Sequence, residues 1–141
     1  MLRAVLVLAL SATFAGCALS PQMIDVKPVA DVEATNVGQN QPVQVLAVDS
    51  RDQEAFGNRV GVYKNTALVR PANDVKSAIE DAIRKGLQTQ GFNAFNPGED
   101  ATRLEVRLDS WTMVNDILSG AINRLLKDPE MLAFLAGNYT P

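Results

Sequence analysis

The 141-residue chain contains no histidine and a single cysteine, Cys17. Without histidine it lacks the commonest general base and the commonest neutral metal ligand of proteins. Its nine glycines are scattered, so the glycine-rich fingerprints of phosphate loops, dinucleotide sites and nucleophile elbows are absent. We therefore expect a protein that is not an enzyme and that holds neither a cofactor nor a metal.

Neither sign of charge dominates the sequence. It has 13 Lys and Arg against 16 Asp and Glu, for a formal net charge of -3, and no block of five or six like charges. Such a chain offers no basic surface, and we expect it not to bind nucleic acid. Its length, with 47% apolar residues, corresponds to one ordinary globular domain.

Long apolar runs are also missing, and the most apolar run of the sequence, which carries no charge, lies at the N-terminus. It covers residues 4–15 (AVLVLALSATFA), directly after Arg3. A membrane-spanning helix needs about 20 apolar residues, so this run is too short for a stable span. A positive start, a short apolar segment and small residues before a cleavage point are typical of a signal peptide. We predict that residues 1–16 are such a peptide.

Cys17 closes this run in the tetrapeptide Phe14-Ala15-Gly16-Cys17. The tetrapeptide resembles the bacterial lipobox, in which an apolar residue and two small residues precede a cysteine that is acylated and becomes the first residue of the mature protein. Phe14 stands where leucine is usual. The resemblance implies cleavage between Gly16 and Cys17 and lipidation of Cys17. The alternative is an ordinary secretory leader that contains an incidental cysteine.

Lipidation would fix where the protein is located. Each buried methylene contributes about 0.8 kcal/mol, so two or three acyl chains on Cys17 form a permanent anchor. An Asp after the cysteine tends to retain lipoproteins at the inner membrane, and this chain has Ala18 there. We therefore expect a periplasm-facing lipoprotein of the outer membrane. Residues 17–40 would be the lipidated cysteine and a polar tether, and residues 41–141 a single domain.

The rest of the chain alternates between strand and helix patterns. Strands are predicted, besides a possible edge strand at 23–27, at 41–49, 59–63, 67–69, 92–95 and 103–109, with the second and third of these forming a hairpin. Helices are predicted at 75–90, capped by Asn73 or Asp74 and ended by Gly91, then at 114–126, and after Asp128-Pro129. The predicted fold is α+β, a small mostly antiparallel sheet with two helices packed on one face.

Three other features could carry function. The segment Asp49–Glu54 concentrates acids, but Arg51 neutralises them and the spacing does not suit a calcium loop, so we expect a salt-bridged loop. Trp111 and Tyr63 could stack on a ligand, although packing is the more usual role of such aromatics. Asn138 begins a glycosylation acceptor triplet that a bacterial lipoprotein does not normally use.

Four segments in a fixed order suggest a family. They are VLAVDSR, SAIEDAIRKGLQTQGF, RLEVRLDSW and VNDILSGAINRLLKDPEMLAFL. In this order after a lipobox, the chain resembles the YajG family of uncharacterised bacterial lipoproteins. The family has no established activity, so the resemblance implies no catalytic residue and transfers only Cys17. Relatives have further strands where Trp111 and Val114 are almost adjacent here, which implies that Arg103 to Asp109 is left as an exposed edge strand.

These observations favour a lipid-anchored envelope protein of a Gram-negative bacterium that acts by binding or assembly. The membrane would be contacted through the acyl chains on Cys17, and a partner strand or a second copy through the edge Arg103 to Asp109. The alternative is a ligand-binding or hydrolytic module that acts on cell-wall or lipid fragments. A deep pocket with convergent polar groups would favour that alternative.

Overall fold

The computed structural model describes residues 21–59, 67–109 and 115–138. Among these residues the elements, in chain order, are β1 Gln22–Ile24, β2 Val43–Asp49, β3 Gly57–Arg59, β4 Ala67–Pro71, α1 Val75–Thr89, β5 Thr102–Leu108, α2 Asn115–Leu126 and α3 Pro129–Leu135. They divide into two compact units. The smaller contains residues 21–25, 53–59 and 67–72, and the larger contains residues 26–52, 73–109 and 115–138.

The smaller unit is a mixed three-stranded sheet in the order β1-β4-β3. β1 runs parallel to β4, with Gln22 opposite Val69, while β3 runs antiparallel to β4, with Asn58 opposite Leu68. Arg59 pairs with Ala67, as the predicted hairpin requires, but β3 covers Gly57–Arg59, and residues 60–63 of the predicted strand lie outside the described residues. Phe56 is buried, and its N–H donates to the Val69 carbonyl at 2.7 Å.

The larger unit is built around a parallel pair of strands, β2 and β5. The α+β class is confirmed, but the prediction of a mostly antiparallel sheet is wrong, because only β3 and β4 pair antiparallel among the described strands. A parallel pair needs a long crossover, and α1 lies on the chain between β2 and β5. The predicted strand at 92–95 is reduced to a single bridge between Asn93 and Pro42.

Helix α1 covers β2 with its apolar face. The buried side of the helix consists of Val75, Ile79, Ala82, Ile83, Gly86 and Leu87. These residues recur at three- and four-residue intervals, which explains why one face is apolar. Asp74 caps the first turn by accepting from the Lys76 N–H at 3.0 Å, and the Ser77 hydroxyl beside it lowers the pKa of Asp74 below 3.8. Gly91 ends the helix with a φ of 89°.

Helix α2 packs on α1. Leu126 lies against Gly86, where a side chain on α1 would have no room. The Gln90 side-chain amide donates to the Leu126 carbonyl at 2.8 Å and joins the ends of the two helices. α3 begins after Asp128, whose carboxylate accepts from two N–H groups of the first turn, as predicted. The placement of two helices on one face of a sheet stays a prediction.

Residues 26–40, which we expected to belong to a tether, run along the helices of the larger unit. Val26 is buried and exchanges two hydrogen bonds with the Asn73 side chain, at 2.8 and 2.9 Å. Further along, the N–H of Asp31 donates to the Asn123 side chain at 2.7 Å, and that of Gly38 to the Gln90 carbonyl at 3.0 Å. Main-chain polar groups of this segment thus form hydrogen bonds that hold it against the rest of the larger unit.

Candidate functional site

In the part of the chain that the structure describes, no strand covers the outer edge of β5. The Thr102 N–H donates to Pro42, and the Leu108 carbonyl accepts from Ser50, both at 3.0 Å. In a parallel ladder, the N–H and C=O groups of alternate residues point to opposite edges of the strand. The hydrogen bonds of Thr102 and Leu108 show that the even-numbered residues of β5 face β2. The main-chain groups of Arg103, Glu105 and Arg107 therefore face the opposite edge. No strand among the described residues pairs with that edge. Each of these three residues therefore presents a main-chain donor and acceptor that no described strand pairs with.

Charges of alternating sign line this edge on its solvent face. Arg103, Glu105, Arg107 and Asp109 are all exposed. Glu105 lies 3.0 Å from the Arg103 guanidinium and 3.9 Å from that of Arg107, and Arg107 lies 3.9 Å from Asp109. Ion pairs this exposed contribute little to stability. These side chains can therefore form ion pairs with other charged groups instead, at a small cost in free energy.

The opposite face of β5 is apolar. Leu104 and Val106 are half-buried and Leu108 is buried. They stand opposite Val45, Ala47 and Asp49 in the register with β2. The half-buried state of Leu104 and Val106 means that a strand added at this edge would cover further apolar surface.

The outer edge of β2, in contrast, is occupied by main-chain and side-chain partners. Asn93 exchanges backbone hydrogen bonds with Gln41 and Val43 at one end, at 2.9 and 3.0 Å. Farther along, the Glu80 carboxylate accepts from the Ala47 N–H at 2.8 Å and the Arg84 guanidinium donates to the Val45 carbonyl at 3.2 Å.

Glu80 and Arg84 also pair with each other, at 2.7 Å, one helical turn apart on α1. Together they supply an acceptor and a donor to the strand, as a neighbouring strand would. Sequence reasoning singled out neither residue and missed this role. Their four-residue spacing was the available signal, but that spacing is shared by many surface ion pairs.

The acidic loop after β2 is held by an ion pair. Arg51 donates to both carboxylate oxygens of Asp49, at 2.7 and 2.5 Å, and these hydrogen bonds lower the pKa of Asp49 below its usual 3.8. The predicted salt bridge at this loop is confirmed. Within the ranges that the structure covers, no three acidic or sulfur-containing side chains are grouped as metal ligands would be.

Other predicted positions are not brought into a site. Asn138 is exposed just after α3, where its N–H donates to the Ala133 carbonyl at 2.8 Å. Gly16, Cys17, Tyr63 and Trp111 lie outside the described residues, as does Val114. The described helices include none with the length and apolar character needed to cross a bilayer.

Among the described residues, the larger unit thus has an α+β fold in which the β5 edge of the strand pair is exposed. Comparison with known protein families identifies its family, because the model of an uncharacterized lipoprotein family matches residues 28–113. The chain belongs to this family, which is of the YajG type that the sequence resembled. The match spans β2 to β5 together with α1, whereas α2 and α3 lie beyond it. No curated protein and no solved structure matches the chain.

Proposed function

We propose that this chain is a non-enzymatic lipoprotein, anchored in the outer membrane of a Gram-negative bacterium by acyl chains on Cys17 and facing the periplasm. Its function is to bind a protein partner by strand addition at the open edge of β5. Membership of a lipoprotein family supports the anchor, and so do the small residues before Cys17. Ala18, in the position after it, supports the outer membrane.

The observation that carries the binding role is the contrast between the two edges of the β2–β5 pair. The β2 edge is occupied by Asn93, Glu80 and Arg84, whereas the main-chain groups of the β5 edge pair with no strand that the structure describes. Proteins usually cover or block such edges, because an unpaired strand is a template for another strand. Strand addition gives affinity through main-chain hydrogen bonds and specificity through alternate side chains.

The anchor is tested by replacing the cysteine. We expect wild type to incorporate labelled palmitate and to sediment with membranes, and Cys17→Ser to do neither. Ser20→Ala, a change of similar size three residues along, serves as the matched control and should behave as wild type. A Cys17→Ser protein that still incorporates palmitate or remains in the membrane fraction after signal cleavage would contradict the anchor.

The binding role is tested by photo-crosslinking in intact cells. A photoreactive residue is placed at Arg103 on the β5 edge and, as the control, at Glu130 on the exposed first turn of α3. We expect a discrete crosslinked product from position 103 and none of the same size from position 130. A lack of product at 103, in a protein that is made and localised normally, would overturn the proposal.

A further inference from the structure

We propose that the strand bound at this edge is β5 of a second copy, paired antiparallel about a two-fold axis that passes beside Val106. The inference rests on the proposed binding role of the edge and names its occupant. The product is a four-stranded sheet in the order β2-β5-β5-β2. Three properties of the edge point to a second copy: its charge sequence, its apolar face, and the closed edge of β2.

The charge sequence selects the direction of pairing. In a parallel arrangement in register, Arg103, Glu105 and Arg107 would each lie beside the same residue of the second copy. Like charges directly opposite one another destabilise a strand pair. An antiparallel arrangement removes this repulsion, provided that the register brings unlike charges together.

One antiparallel register does so at every charged position. With Val106 opposite itself, Arg103 faces Asp109 of the second copy, and Glu105 faces its Arg107. The two-fold axis repeats both pairs, which gives four pairs of opposite sign. Arg103, Glu105 and Arg107 are the residues of β5 whose main-chain groups point outward, so the pairs between Glu105 and Arg107 coincide with hydrogen-bonded pairs of the new ladder.

Neighbouring registers are less favourable. A register centred on Glu105 places the two Glu105 side chains opposite each other and Arg103 opposite Arg107. A register centred on Arg107 brings the two arginines together and sets Glu105 against Asp109. A register centred on Leu104 retains only the two pairs between Arg103 and Glu105.

The apolar face agrees with the same register. Val106 lies opposite Val106, and Leu104 lies opposite Leu108 of the second copy. Leu104 and Val106 are half-buried in the single chain, and pairing would cover more of their surface. The charges on one face of the strand therefore select this register, and the apolar contacts on the other face are compatible with it.

The closed edge of β2 limits the assembly to two copies. After pairing, each end of the four-stranded sheet is the edge that Asn93, Glu80 and Arg84 occupy. A two-fold contact uses the same surface on both copies and leaves no equivalent strand edge free. The contact is therefore closed, and does not extend into a fibre.

The register is tested by a cysteine scan on the full chain in detergent micelles. Antiparallel residues in a non-hydrogen-bonded pair have Cα atoms about 4.5 Å apart, within the range of a disulfide. Val106→Cys should therefore form a disulfide-linked dimer under mild oxidation. Leu104→Cys is the matched control, since its two copies would be offset by four residues, or about 13 Å along the strand.

We expect at least about tenfold more dimer from Val106→Cys than from Leu104→Cys, because only the first pair is within disulfide reach. A dimer that forms at 104 instead, or at neither position, overturns the proposed register. Wild type, whose only cysteine is Cys17, should give none. A wild-type dimer would report a free Cys17 thiol and contradict the anchor, and the charge test below would then decide the pairing.

The charge test uses two differently tagged copies that are purified together. Glu105→Arg and Arg107→Glu each place like charges opposite one another twice in the proposed dimer, and each should weaken self-association by about tenfold. In a mixture of the two variants, both pairs between positions 105 and 107 again set an arginine opposite a glutamate, which should restore co-purification. Failure of the mixture to recover would contradict the pairing.

The matched control moves the same charges to positions away from the edge. Glu99→Arg and Arg124→Glu carry the same changes at exposed positions in a loop and on α2. Alone or mixed, they should co-purify as wild type does. If they reproduce the loss and recovery, net charge is responsible and the proposed pairing is wrong.

The outcomes also separate this inference from the binding role on which it rests. A photo-crosslink from position 103 to a different protein, with no dimer in either test above, would retain the binding role and overturn self-pairing. No crosslink from 103 to any chain would overturn both.

Discussion

At the scale of single residues, Gly38 is a point where two segments of the larger unit approach closely, because it lies against both the ring and the backbone of Phe92. A Cβ on Gly38 would lie 2.5 Å from the Phe92 ring and 2.6 Å from its backbone nitrogen. The ring could turn, but the backbone could not move without disturbing the end of α1. Gly38 is needed because the docked N-terminal segment approaches so closely.

We predict that Gly38→Ala lowers the free energy of unfolding by about 1–3 kcal/mol, the usual cost of forcing extra volume into a packed site. Gly120→Ala is the matched control, because the nearest atom to its Cβ would be 4.0 Å away, in the Arg124 side chain. In the interior of α2 that change should instead stabilise by about 0.5–1 kcal/mol. Denaturant unfolding of both variants, followed by circular dichroism, measures the difference. Equal effects would contradict this account.

At the scale of elements, helix α1 both covers β2 and occupies its outer edge. Its apolar residues explain the first role, and the Glu80–Arg84 pair explains the second. The side chains of Glu80 and Arg84 are only 17% and 26% exposed, so their hydrogen bonds to the strand are partly shielded from water. Removing one would leave a buried main-chain group without its partner.

We predict that Glu80→Ala destabilises the protein by about 1–3 kcal/mol, because the Ala47 N–H loses its acceptor in a buried strand. Asp81→Ala is the control: Asp81 also pairs with Arg84, at 3.3 Å, but its side chain is 57% exposed and the pair does not involve the strand. It should change stability by less than about 0.5 kcal/mol. Thermal unfolding of the two variants tests this, and a similar loss from both would show that the ion pairs alone matter.

At the scale of the whole molecule, the proposed location depends on the residue that follows the anchor. Ala18→Asp should move the protein from the outer-membrane to the inner-membrane fraction of a density gradient, because an acidic residue at this place favours retention. Ala18→Ser adds a polar but uncharged side chain and should leave the distribution unchanged. If both variants remain in the outer membrane, Ala18 does not determine sorting in this protein.

The extent of the sequence prediction differs from one element to another. The apolar periodicity of residues 75–90 predicted α1 almost residue for residue, since it reports a face that must be buried. The alternation in β5 correctly gave a strand with one wet face, but alternation is the same for either strand direction. The parallel pairing with β2 was therefore missed, and the sheet was expected to be antiparallel.

By itself, the sequence determined the α+β class, the helix cap at Asp128, the apolar faces, and the lipoprotein family. These depend on local periodicity, short-range hydrogen bonds or motif order, all of which lie within one stretch of chain. Only the tertiary structure decided strand direction, the docking of residues 26–40, and the use of Glu80 and Arg84 to close one edge while β5 stays open. Each of these joins groups distant in sequence, and which distant groups meet depends on the packing of the whole unit.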